Sequence, residues 1–178
     1  MEKARPQVLD LCALSQGMAG LTANAGGFMA ECASVCLEER GHSRGVGLRV
    51  SGKLRCTCDL NWLPVTEQMR RAHNDAEVAT EHGAYAVAIL LVLGHMGYEA
   101  LEKSVKGTGF DYWVGDASTL PFQKKARLEV SGIRSGNAQD VAKRVKDKKA
   151  QTRKSDGEYP ACVVVVEFGK PRAQVVLR

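Results

Sequence analysis

Two acidic residues stand in strand-like surroundings where apolar side chains are the ordinary choice: Asp111 in TGFDYWVG and Glu129 in ARLEVSG. Strand alternation puts Asp111 with Trp113 and Gly115, opposite Phe110, Tyr112 and Val114. It puts Glu129 with Arg127 and Ser131, opposite Leu128 and Val130. If the two segments pair, their carboxylates meet. Such neighbours repel and raise each other's proton affinity unless a cation lies between them. Magnesium, or manganese, suits that position. It needs hard oxygen ligands, accepts one or two carboxylates, and leaves room for phosphate and water. The bound ion would acidify an attacking water and take up charge on a phosphate. Glu81 can complete the cluster if its helix packs across these strands. The same residues also allow a bland reading, with Asp111 at an exposed face or turn and Glu129 in surface ion pairs worth under about 1 kcal/mol.

The elements that would position these groups are legible as patterns. Between about Gly20 and Arg40, Leu21, Ala25, Phe28, Met29, Cys32, Val35 and Cys36 recur at helical spacing. GVGLRV and LRCTCDLNW alternate on either side of SGK, which predicts a hairpin. After Pro64, Thr66 opens one long predicted helix to about Met96, polar at first and then apolar nearly all round. Three strands follow, in YEALEKSV, GTGFDYWVG and KARLEVSG. Asn137 then caps a helix with Ala138, Val141, Ala142 and Val145 inward. ACVVVVEF reads as a strand buried on both faces. KPRAQVVLR reads as a last strand, at an edge because of Pro171. Residues 1–16 carry no clear pattern.

The expected class is α/β, an α+β mixed sheet in the order α-β-β-α-β-β-β-α-β-β. Residues 1–65 form a helix and hairpin extension packed on a core of residues 66–178, the whole making one compact domain.

A helix bearing Glu81, a hairpin with Asp111, a strand with Glu129 and a lysine-rich helix together resemble the PD-(D/E)xK nuclease superfamily. The resemblance covers about residues 66–168. It implies a restriction-endonuclease-like core and metal-dependent phosphodiester hydrolysis, with Asp111 and Glu129 as metal ligands and Glu81 as an auxiliary acid. It further implies a magnesium-dependent endonuclease in a defence (antiviral) or mobile-element setting. The chain departs from the family at Ser131, where a lysine is expected two residues after the acid. Lys143 or Lys146 of the following helix, or Arg127, can supply that cation instead. If none reaches, the scaffold serves as a non-catalytic interaction subunit or adaptor.

A formal charge of +5 is mildly basic, compatible with a polyanionic partner and far from a histone-like excess. Lys146, Lys149 and Arg153 recur at i, i+3, i+7 and would form a ridge able to neutralise phosphates. The same residues also read as a solvated helix end; nucleic acid, DNA before RNA, is the partner the resemblance implies, alongside a homodimer or larger complex. MEKARPQVLDLC lacks the apolar run of an export signal, and AYAVAILLVLGHMGY is short for a bilayer span. Both point to a cytoplasmic protein with no membrane partner, whose six cysteines stay reduced. Cys32, Cys36, Cys56 and Cys58, with His42 spare, offer four sulfurs for zinc. Neither pair has the usual CxxC form, so buried thiols are the stronger expectation. His42 and His73 lack evident partners, and His95 reads as a core or helix-end residue.

Overall fold

The computed structural model describes residues 7–118, 121–157 and 159–178. Among these, β1 (Gln7–Asp10), β2 (Val46–Gly52), β3 (Cys56–Asn61), β4 (Ala100–Lys103), β5 (Tyr112–Asp116), β6 (Gln123–Ile133), β7 (Ala161–Glu167) and β8 (Arg172–Leu177) form one mixed sheet. Its order is β1-β3-β2-β8-β7-β6-β5-β4. The helices are α1 (Ala23–Glu39), α2 (Glu67–Ala72), α3 (Ala76–His95) and α4 (Ala138–Gln151), with short 3-10 turns at Leu11–Gln16 and Thr152–Ser155.

The β7 run shows why the sheet is covered on both faces. Cys162, Val164 and Val166 alternate into the main core, with Val87, Ile89 and Leu91 of α3. Val163 and Val165 alternate to the other side, against Val141 and Val145 of α4. Every residue of β7 is buried, as a β-branched run demands. The α4 crossover makes β6 and β7 parallel, with Glu129 opposite Val163. The meander β4-β5-β6 is antiparallel, with Tyr112 opposite Leu128.

Three expectations change. The last strand is interior, because β8 pairs β7 on one side and β2 on the other. Pro171 precedes the ladder, so its missing N–H removes no strand bond, and its carbonyl accepts from Arg49 N at 3.1 Å. That parallel β2–β8 pairing runs the N-terminal hairpin into the same sheet. The single helix expected from Thr66 is two, since the Asp75 side chain accepts from Glu77 N and Val78 N and starts α3 afresh. The featureless start contains β1, paired with β3. By length and composition alone α3 could cross a membrane, yet 61% of its apolar window is buried inside the protein.

Helix α3 crosses β6 closely at Gly132. A Cβ there would stand 2.4 Å from the Thr80 carbonyl oxygen. Gly132→Ala must therefore push α3 off the sheet. Overpacking of this kind costs about 1–3 kcal/mol, so urea unfolding should show that loss of stability. An unchanged midpoint would mean that the helix yields without cost.

Candidate active site

Beyond the Tyr112–Leu128 pair the β5–β6 ladder ends, and continuing its register sets Asp111 opposite Glu129. Asp111 N still donates to Leu128 O at 2.9 Å. The next inward donor, Val130 N, is taken by the Asp111 side chain instead, at 2.8 Å to Oδ2. A carboxylate thus replaces a strand carbonyl at the point where the strands part. The turn before it needs glycine. Gly109 has φ +83°, and a Cβ on it would lie 2.7 Å from Gln151 O at the end of α4.

The other Asp111 oxygen accepts from the Tyr85 hydroxyl at 2.8 Å. Glu81 Oε1, one turn earlier on α3, lies 3.0 Å from the same hydroxyl and competes with Asp111 for its one proton. Burial first, and then these two carboxylate charges, push the Tyr85 hydroxyl far above its ordinary range, so it remains a donor. All three predicted acids line one cleft of about 510 Å³, with Tyr85, Ser131, Arg134, Arg144, Lys148 and Gln151 also in its wall. Glu81 stands exposed at the mouth.

Glu129 is 1% exposed. Its Oε1 accepts from Lys148 Nζ at 2.7 Å and from Gln151 Nε2 at 3.0 Å. Among the described residues, Oε2 is the one buried side-chain oxygen or nitrogen without a hydrogen-bond partner. Such an orphan costs about 1–3 kcal/mol and calls for an explanation. Desolvation, reinforced by the Asp111 charge and opposed by Lys148, raises the Glu129 carboxyl to about 7. An unsatisfied oxygen beside a second carboxylate fits the donor set of a hard divalent cation.

Two cationic side chains of α4, Arg144 and Lys148, line the cleft, and neither is a lysine the sequence suggested. Lys143 and Lys146 are exposed, outside the cleft. Lys148 reaches Glu129, and Arg144 donates to Ser131 Oγ at 2.9 Å, at the position where the family pattern has lysine. Arg127 is spent elsewhere. Its guanidinium donates to the carbonyls of Thr152, Ser155 and Tyr159, which secures the end of α4. The expected ridge is interrupted, because Arg153 lies in the 3-10 turn beyond α4, and Lys146 and Lys149 fall on the opposite flank of α4 from Arg144 and Lys148 by helical geometry. These two lysines therefore face away from the cleft. Lys148 was identifiable in principle, since it follows the inward Val141 and Val145 by seven and three residues. Tyr85 carried no such signal, because nothing local reveals what its hydroxyl meets.

Of the other singled-out residues, Trp113 packs edge-on against Phe110 and Tyr159. His73 has two partners, Cys32 Sγ at 3.4 Å and Glu31 Oε2 at 2.7 Å. His42 Nε2 lies 2.8 Å from Phe168 O. All six cysteines are free. Compared with protein-family models, characterised proteins and solved structures, the chain matches none.

A raised carboxyl pKa means that the folded chain keeps a proton the unfolded chain has released. Stability is therefore lost as pH rises from about 4.5 to about 7. Glu129→Gln carries no such cost. Its stability relative to wild type should climb across that window in urea titrations at several pH values. A difference independent of pH would exclude a proton held at Glu129.

Proposed function

We propose that the chain is a metal-dependent phosphodiesterase of the nuclease type, built on a restriction-endonuclease-like core. The reading rests on one observation: Glu129, with its orphaned oxygen, and the Asp111 carboxylate stand together in the wall of a cleft that Lys148 also lines. The helix, three-strand meander, crossover helix and parallel strand from α3 to β7 agree with that core. Asp111 and Glu129 would hold magnesium or manganese. The bound ion would supply an acidified water and neutralise phosphate charge.

The remaining work falls to this chain's own groups. Tyr85 and Val130 N hold the Asp111 carboxylate in place. Gln151 and the end of α4 orient Glu129. Lys148 would donate to a non-bridging phosphate oxygen as water oxygen bonds phosphorus and gives up a proton to solvent, while the bond to the leaving sugar oxygen breaks and that oxygen takes a proton from solvent. Cations flank the acids on both sides. Lys103, the last residue of β4, and Lys106 line an adjoining hollow that shares Glu81, Asp111 and Glu129 with the cleft, and Arg144 and Lys148 border the cleft from α4. A phosphate backbone crossing the acids would meet positive charge before and after the scissile bond. Nucleic acid is the substrate class, with DNA ahead of RNA, and defence against foreign nucleic acid is the setting the resemblance suggests. A homodimer or larger complex is the proposed working form.

One observation favours the rival reading, a non-catalytic interaction subunit or adaptor. Lys148 already neutralises Glu129, as it would in a purely structural ion pair. The readings separate in a cleavage assay on plasmid DNA, single-stranded DNA and RNA with magnesium or manganese. Asp111→Asn and Glu129→Gln should each abolish cleavage, and Lys148→Gln should reduce it by about 10²-fold or more. Lys143→Ala should leave it intact. Manganese should also raise the melting temperature of the wild type but not of the Asp111→Asn, Glu129→Gln double variant. Cleavage surviving Asp111→Asn, or an equal manganese response in the double variant, sinks the proposal.

A further inference from the structure

A second cluster lies at the far end of α3, roughly 20 Å from Glu81 at 1.5 Å per residue. Cys56 and Cys58 are two apart on β3, so their side chains leave the same face. Their sulfurs are 3.7 Å apart. His95, the last residue of α3, brings Nε2 to 3.8 Å from Cys58 Sγ. All three ligand atoms lie within 4.8 Å of one another. Among the described residues no other group of cysteine, histidine and carboxylate side chains converges in this way.

These spacings carry information. Two thiolates on a tetrahedral zinc, each at about 2.3 Å from it, stand about 3.8 Å apart, and a thiolate and an imidazole nitrogen about 3.6 Å. These two edges therefore match a tetrahedron around zinc to within a few tenths of an ångström, and the third, Cys56 Sγ to His95 Nε2, lies within 4.8 Å. One imidazole nitrogen beside one sulfur is an ordinary hydrogen bond, as His73 makes to Cys32, whereas here a single nitrogen lies within reach of two sulfurs. An imidazole Nε2 and two sulfurs are also the soft and borderline donors that zinc prefers over magnesium. The CxxC knuckle is not needed, because the strand brings i and i+2 together and the helix end supplies the third corner.

We propose that Cys56, Cys58 and His95 form a zinc site with three protein ligands and a fourth position open to water. Cys56 and His95 are both partly exposed, which leaves the ion a path in and a wet corner. Its role is a staple. The ion ties the N-terminal hairpin to the C-terminal end of α3, the helix whose other half carries Glu81 and Tyr85. The site is independent of the acidic cleft and does not depend on the nuclease reading.

The test uses the full chain, reduced, stripped with chelator and titrated with cobalt and then zinc. One cobalt per chain should give thiolate-to-metal charge-transfer absorption and the intense visible bands of a tetrahedral site, which zinc then bleaches. Cys58→Ser and His95→Ala should weaken binding more than about a hundredfold, beyond what loss of a supporting hydrogen bond costs. Cys32→Ser, at a buried thiol of α1 beside His73, should bind like wild type and controls for general damage to the fold. The Asp111→Asn, Glu129→Gln double variant should bind zinc normally, which separates this site from the cleft. Zinc should raise the wild-type melting temperature. Absence of the charge-transfer band in the wild type, or bands unchanged in Cys58→Ser, would overturn the site.

Discussion

The parting of β5 from β6 at Asp111 is the constraint on which the cleft depends. A paired strand would have satisfied Val130 N with a backbone carbonyl and left no opening. Here a side-chain carboxylate takes that donor, and its second oxygen takes the Tyr85 hydroxyl of α3. One aspartate thus replaces a ladder bond and joins sheet to helix. Its charge is stabilised by two donors, yet the carboxylate stays at the edge of the sheet rather than inside it.

Glu129 is in the opposite situation. It is enclosed, one of its oxygens lacks a donor, and a neighbouring carboxylate raises its proton affinity. Burying an ionised carboxylate without full compensation is expensive, and a chain selected for stability alone gains by replacing it with an apolar side chain of similar size. Lys148 and Gln151 compensate one oxygen only. The arrangement makes physical sense as a site poised for a positive ligand. That is why the orphaned oxygen weighs more than the acids taken singly.

The crossover helix holds the site from the other side. Its core stripe of Val141 and Val145 packs on β7, and the flank of that stripe delivers Arg144 and Lys148 to the cleft. Arg127 secures the end of the helix by saturating the carbonyls of the turn that follows. A buried guanidinium with so many acceptors is a fastener, and it is unavailable for chemistry. Position on the helix, rather than density of positive charge, decides which lysine serves the acids.

Much of this was present in the linear pattern. Alternation around Asp111 and Glu129, the β-branched run of β7, the caps at Thr66 and Asn137, and the apolar half of α3 are local signals, set by periods of two and 3.6 residues. They sufficed to predict a mixed α/β sheet and to bring the two acids together. The interior place of β8, the pairing of β1, the choice of Lys148 over Lys143 and Lys146, and the meeting of Cys56 and Cys58 with His95 were not legible in that way. Each depends on which distant segments become neighbours. That is decided by the packing of α1 and α3 on one face of the sheet and α4 on the other, a property of the whole fold that no local window contains.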